Sequence, residues 1–200
     1  MSLVDLKTAE LLDRIASSQP TPGGGSAAAL AGAMGASLVA MVASMPKTRT
    51  GSDEDRRTLD EVLGEVVKTG AQLRRLVDDD AEAYDAVIAA RRQPKGTDEE
   101  KAARQSAVDA ALKRAAEVPL QTAHACLAVL RGASAAASHG NPNAHSDAVT
   151  AAALAWAGLV GALENVRINL ESEPENAPVR ALIESLARAG REALMDVGLE

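Results

Sequence analysis

Thr21-Pro22-Gly23-Gly24-Gly25-Ser26 opens directly into an uncharged Ala/Gly/Ser/Met stretch that runs to Met45. Each glycine loses more backbone entropy on ordering than any other residue, so three in a row suit a place where the backbone must pass very close to something. Here that place is the start of a helix, where free N–H groups and the positive end of the dipole face outward. Such a turn can hold a carboxylate, a phosphate or a polarised carbonyl. The plainer alternative is a flexible loop with Ser26 or Gly25 as the helix cap. No Gly-Lys-Ser/Thr follows, so the turn is not a P-loop. Within the stretch, Ala28, Gly32 and Ala36 recur every four residues, with Gly35 and Val39 on a neighbouring line. That smooth face predicts close approach by another helix.

The whole composition carries the same message. The 200 residues include no Phe, one Trp (Trp156) and one Tyr (Tyr84), so Ala, Leu and Val must fill the core. Small side chains fill space only when backbones approach closely, and Ala is the best helix former. No segment alternates as a strand does. The expected fold is all-α: a multi-helix bundle of long helices in a single domain over residues 1–200. A small-residue core also favours burial of a helical face against a second subunit.

Charge and cysteine usage narrow the partners. The net charge is −7, so no basic excess drives binding to duplex nucleic acid. Residues 27–45 are uncharged and nearly span a bilayer, but their hydrophobicity is low and they lack aromatic belts. They read as a buried helix of a soluble protein. A single cysteine, Cys126, excludes an intrachain disulfide, and the N-terminus carries no signal-peptide pattern. A cytoplasmic protein is expected.

Six helices are expected. The first spans Leu6–Ser17 and the second Ser26–Met45. The third is capped by Ser52, with Asp55 near the capping-box position, and runs to Arg91. The fourth starts at the Thr97-Asp98-Glu99-Glu100 capping box, kinks or restarts at Pro119, and ends near Ala137. Ser138–His145 reads as a polar turn. Ser146 or Asp147 caps a fifth helix ending near Leu170, and a polar loop with Pro174 and Pro178 leads to a last helix, Pro178–Val197.

Polar residues on apolar faces nominate the chemistry. On the third helix Val62, Val66, Leu73, Leu76, Val77, Tyr84 and Val87 form a stripe, and Asp80 falls in its middle while Asp78 and Asp79 look to solvent. A buried carboxyl without a cation has a raised pKa and can carry a proton near neutrality. Its alternative is a structural Asp bonded to a helix N-terminus or an Arg. On the fifth helix Asn165 and Asn169 share a face. Paired amides suit a heterocyclic edge, the alternative being capping of the helix end. His124, Cys126, His139 and His145 lack zinc-ligand spacing, so no metal is expected. Ser26 has no recognisable His/Asp partners, which argues against a serine hydrolase. Arg91, Arg92, Lys95, Lys47 and Arg49 lie near helix ends, where solvated charge is the plain reading and an anion-binding cluster the other.

Taken in order, Thr21–Ser26 with its helix to Ala43, Leu76–Tyr84 with its Asp78-Asp79-Asp80, Pro94-Lys95, Glu99-Glu100-Lys101 and Arg104, Val118-Pro119-Leu120, Gly140-Asn141, Ser146-Asp147 and Asn165–Leu170 resemble the cyclodeaminase/cyclohydrolase family of folate enzymes. The resemblance covers about residues 1–170. It implies an all-helical homodimer with folate in a cleft near the subunit contact, and no cofactor beyond the tetrahydrofolate substrate. It also implies one of two reactions: closure of 5-formiminotetrahydrofolate to 5,10-methenyltetrahydrofolate with loss of ammonia, or hydrolysis of the methenyl bridge to 10-formyltetrahydrofolate. The family's catalytic aspartate maps onto Asp80. Gly23, Gly24, Gly25 and Ser26 would contact the pterin or stabilise developing charge. Lys95, Arg104 and Arg167 are candidates for the glutamate tail, and Asn141, Asp147, Asn165 and Asn169 for cleft lining. On this picture Asp80 faces three bare amides across a space fit for a flat ring.

One stretch departs from the family pattern. Relatives continue after the glycine helix with an Asn, an apolar-Thr pair and a Gly-Lys-Lys-aromatic run, where this chain reads Ala43-Ser44-Met45-Pro46-Lys47-Thr48-Arg49-Thr50-Gly51. The aromatic is missing, with Trp156 or Tyr84 as substitutes, which bears on substrate identity more than on fold. The chain also carries no formiminotransferase domain, which tilts the expectation toward the hydrolytic reaction. The alternative function is a non-catalytic helical dimer that binds a folate or a related heterocycle.

Overall fold

The computed structural model describes residues 2–170 and 177–199, and among these it contains six α-helices and no strand. They are α1 (Thr8–Ile15), α2 (Gly24–Ala43), α3 (Asp53–Arg91), α4 (Asp98–His139), α5 (His145–Leu170) and α6 (Ala177–Met195), with 3-10 turns at Leu3–Asp5 and Pro142–Ala144. α2 packs on α3 and α5, and α4 packs on the same two, so these four close a bundle; α6 lies on α4 and α5.

Glycines set how closely α2 is approached. A methyl group at Gly35 would stand 2.9 Å from the Ala151 carbonyl oxygen, and one at Gly158 would stand 2.7 Å from that of Ala28. One at Gly32 would meet the Cys126 sulfur at 2.6 Å. The smooth face read from the sequence is therefore where α5 and α4 sit against α2. Cys126 is sealed there, and burial pushes its thiol up to about 12, leaving no thiolate for chemistry.

Several boundaries differ from expectation. α2 begins inside the glycine run: Gly23 is its N-cap, and neither Ser26 nor Gly25 caps it. The 3-10 turn leads into α5 from His145, so Ser146 and Asp147 lie inside the helix rather than capping it. Ser138 and His139 belong to α4. The loop read around Pro174 lies outside the described residues.

Pro119 neither stops nor restarts α4, which runs through it. Proline has no N–H, so the carbonyl of Ala115 loses its usual donor four residues on. The Asn169 side chain of α5 supplies one: its Nδ2 donates to that oxygen at 2.7 Å. A helix break legible in sequence is thus bridged by a residue 54 positions away.

Gly24–Ala43 and Pro142–Asn169 are long and apolar enough to cross a membrane by length and composition. In this fold both lie in the bundle, although α2 leaves Met34 and Met41 exposed and α5 leaves Val160 exposed.

Candidate active site

The N-terminus of α2, the second half of α3, the middle of α4 and the C-terminal turns of α5 enclose a cleft of about 310 Å³. That is at the small end of the ~300–1,000 Å³ common for small-molecule sites. Asp80, Ala83, Tyr84, Val87 and Arg91 line it from α3, spaced as one helical face. Gly23, Gly24 and Gly25 line it from the glycine turn, Leu112 and Ala115 from α4, and Asn165 and Asn169 from α5.

The three consecutive aspartates of α3 have three separate tasks. Asp78 is not directed to solvent: it accepts from the Ser2 hydroxyl at 2.5 Å and the Leu3 N–H at 2.6 Å, tying the N-terminal turn to the bundle. Asp79 is half-exposed and pairs with Arg114 at 3.2 Å. Asp80 turns inward and accepts from the Ser26 hydroxyl at 2.9 Å. Burial lifts its carboxyl above the ordinary carboxylate value, and hydrogen bonding from Ser26 pulls the other way.

The glycine turn does not face Asp80 across a ring-sized gap. A methyl group at Gly25 would collide with the Asp80 carboxyl, whose carbon lies 2.6 Å from that position. Gly25 is therefore glycine because the carboxyl rests on its backbone, and the start of α2 stabilises this internal anion. The reading of Asp80 as an Asp bonded to a helix N-terminus describes its contacts correctly. The cleft beside it leaves the seated carboxyl accessible to a ligand. Ser26, buried, serves Asp80 rather than a ligand.

Asn165 donates from Nδ2 to the Gly161 carbonyl at 2.8 Å, as Asn169 does to Ala115. Among the described residues neither Oδ1 accepts a hydrogen bond, and neither is buried without a partner. Both remain as open acceptors at the cleft.

The other nominated residues lie apart. Arg104 is half-buried and donates from Nε to the Arg91 carbonyl at 3.1 Å, placing it beside the rim. Lys95 is exposed in the α3–α4 connection. Arg167 pairs with Glu164 on the outer face of α5. Asn141 caps the 3-10 turn by accepting from the Asn143 N–H at 3.0 Å. Asp147 lies in the first turn of α5, about 27 Å of helix from Asn165. Within one chain, Asn141 and Asp147 do not join the Asp80 cleft. The divergent stretch 44–51 is equally remote, since α3 rises about 42 Å between Ser52 and Asp80.

Two cleft residues had other readings in sequence. Tyr84, read there both as a member of the apolar stripe and as a substitute for the missing aromatic, is 42% exposed at the cleft. Trp156 packs beneath Gly190 of α6, which leaves Tyr84 as the aromatic side chain of the site. Arg91, read as one of several helix-end charges, lines the cleft; its position eleven residues after Asp80, on the same helical face, is the signal that places it. Among the described residues no three His, Cys, Asp or Glu side chains group as metal ligands.

Comparison with known proteins identifies the family. The profile of the formiminotransferase-cyclodeaminase family matches residues 7–188. A methenyltetrahydrofolate cyclohydrolase of Methylorubrum extorquens is 44% identical over 166 residues, covering 83% of this chain and 80% of that protein. The formimidoyltransferase-cyclodeaminase of Rattus norvegicus is 35% identical over 170 residues; the match covers 85% of this chain but 31% of that longer protein. The crystal structure of a formiminotetrahydrofolate cyclodeaminase from Thermotoga maritima superposes with a TM-score of 0.82 at 26% identity, covering 98% of this chain and 96% of that one. By fold and by sequence, this chain belongs to the formiminotransferase-cyclodeaminase family.

Proposed function

We propose that this chain is a folate one-carbon enzyme that hydrolyses 5,10-methenyltetrahydrofolate to 10-formyltetrahydrofolate. Closure of 5-formiminotetrahydrofolate to the methenyl compound, with loss of ammonia, is the second reaction the same site supports. Hydrolysis is placed first because the cyclohydrolase relative is 44% identical, against 35% for the rat protein and 26% for the Thermotoga maritima cyclodeaminase. The observation that carries the reading is a carboxyl with a raised pKa, seated on Gly25 and Ser26 and open to a cleft fit for a flat ring.

The chemistry needs one mobile proton. In hydrolysis, water adds to the carbon bridging N5 and N10, and the Asp80 carboxylate takes the proton that water loses. The tetrahedral adduct then breaks its bond to N5, which receives that proton back from Asp80, while the adduct's hydroxyl releases its own proton to solvent and becomes the carbonyl of the formyl group on N10. In cyclisation, N10 attacks the formimino carbon, the Asp80 carboxylate takes the proton N10 loses, and it hands that proton to the amino group of the adduct, which leaves as ammonia. Ser26 holds the carboxyl in one orientation, and Tyr84 offers a face on which the pterin can stack.

Arg91, Arg104 and Lys95 lead away from the rim and are proposed to meet the carboxylates of the glutamate tail. Arg167, already paired with Glu164, contributes less. We also infer a homodimer. The outer face of α2 carries Leu30, Met34, Leu38 and Met41 without a charge along the helix, with Met34 and Met41 exposed. A second copy related by a two-fold axis across this face covers it. With its helices antiparallel, that copy brings Asn141 and Asp147 of the partner subunit toward this cleft. No cofactor beyond tetrahydrofolate is invoked, and the setting is cytoplasmic.

The test is the absorbance of 5,10-methenyltetrahydrofolate followed with purified protein, alongside ammonia release from the formimino substrate. Acceleration over buffer in the first assay supports hydrolysis, and ammonia release supports cyclisation. Silence in both with tetrahydrofolate still bound supports the non-catalytic binding protein instead.

A further inference from the structure

We infer that Asn169 reads a hydrogen-bond donor on the ring of the bound substrate, and that Pro119 is the positioning residue that fixes Asn169 for this task. The inference rests on the folate reading for its ligand but not for its geometry.

A carboxamide can flip and present either its oxygen or its nitrogen to a ligand. Asn169 has no such freedom. Pro119 leaves the Ala115 carbonyl without its helical N–H, and the Nδ2 of Asn169 fills that vacancy at 2.7 Å. An unpaired carbonyl here is costly, so the amide nitrogen is committed. The Oδ1 is left as an acceptor, unbonded within the protein among the described residues, on a residue that lines the cleft.

Asn165, one turn earlier, likewise bonds a carbonyl, that of Gly161, through its Nδ2. The lock differs in kind, because Gly161 is also reached by the backbone N–H of the helix. The pair therefore offers two acceptors to the cleft. Their complement is a flat ring with N–H donors along one edge, such as an aminopyrimidinone, whereas an edge of carbonyls alone would meet oxygen with oxygen. The proline inside α4 is then part of the recognition device: its missing N–H aims a side chain on another helix.

The experiment is tetrahydrofolate binding by anaerobic calorimetry, with thermal unfolding in parallel, on wild type, Asn169→Ala, Pro119→Ala and the double variant. Tetrahydrofolate carries no one-carbon unit and cannot turn over. Asn169→Ala leaves the Ala115 carbonyl unpaired and lowers Tm, and it weakens binding about tenfold. Pro119→Ala restores the backbone donor and keeps the fold, while the released amide weakens binding about fivefold. The double variant recovers the Tm lost in Asn169→Ala but binds no better than that variant. Recovery of both stability and binding in the double variant overturns the inference, because Asn169 would then act only as a brace. Unchanged binding in Pro119→Ala overturns the positioning role. Failure of wild type to bind tetrahydrofolate overturns the ligand reading as well, and is separable because the Tm pattern would persist.

Discussion

At the scale of single residues, the site depends on the absence of one methyl group. Gly25→Ala pushes the Asp80 carboxyl off its seat, and kcat for methenyl hydrolysis is expected to fall about 100-fold, within the range general acid–base groups supply. Gly64→Ala, on the exposed side of α3, is the control: a methyl there meets nothing within 4 Å, and steady-state assays should find kcat within about threefold of wild type. Ser26→Ala removes a hydroxyl that holds the Asp80 pKa down. The carboxyl then titrates at higher pH, and the ascending limb of the pH–rate profile moves toward alkaline pH. Asp80 was legible in sequence because helical periodicity fixes which of three adjacent aspartates turns inward. Its seat was not legible, because Gly25 and Ser26 lie more than 50 positions away and only packing brings them against it.

At the scale of elements, the pole of the bundle remote from the cleft is closed by a polar clasp. Asp55, buried, accepts from the Thr50 hydroxyl at 2.6 Å and the Thr50 N–H at 2.8 Å, and its other oxygen meets His139 Nδ1 at 2.9 Å. The Thr50 hydroxyl, then His139 and the Thr50 amide, hold the carboxyl well below the usual carboxylate range. A depressed folded-state pKa stabilises the fold above the unfolded value of ~3.9 and loses that contribution as pH falls below it. Asp55→Asn should therefore lower Tm at pH 7 and narrow the Tm gap between pH 7 and pH 3, as read by circular dichroism. Next to the clasp, Arg56 donates to the Ala43 and Met45 carbonyls at 2.6 and 2.9 Å and closes the C-terminus of α2. The Ser52 and Thr97 caps were readable from local chemistry and stand as expected. The continuity of α4 through Pro119 was not, since its repair comes from Asn169 on another helix.

At the scale of the molecule, the long helices hold two poles far apart, and the family-like residues are divided between them. Asp80, Asn165 and Asn169 stand at one pole, with Asn141, Asp147 and the divergent stretch 44–51 at the other. Composition made the all-helical bundle legible, because a core of Ala and Gly packs only as closely approaching helices. It could not place these poles, since the resemblance orders motifs along the chain and not in space. The divergence at 44–51 therefore bears on the cleft of one chain only through a second subunit. A charge on the uncharged face should expose that dependence: Met34→Glu is expected to shift sedimentation from dimer to monomer and to weaken tetrahydrofolate binding. Unchanged sedimentation as a dimer would move the subunit contact elsewhere.

The most direct measurement compares wild type with Asp80→Asn in methenyltetrahydrofolate hydrolysis, with tetrahydrofolate affinity and helical circular dichroism determined on both. A proton-carrying Asp80 predicts a loss of about 10²–10⁴ in kcat with affinity and helicity retained. A variant that hydrolyses at the wild-type rate would contradict it.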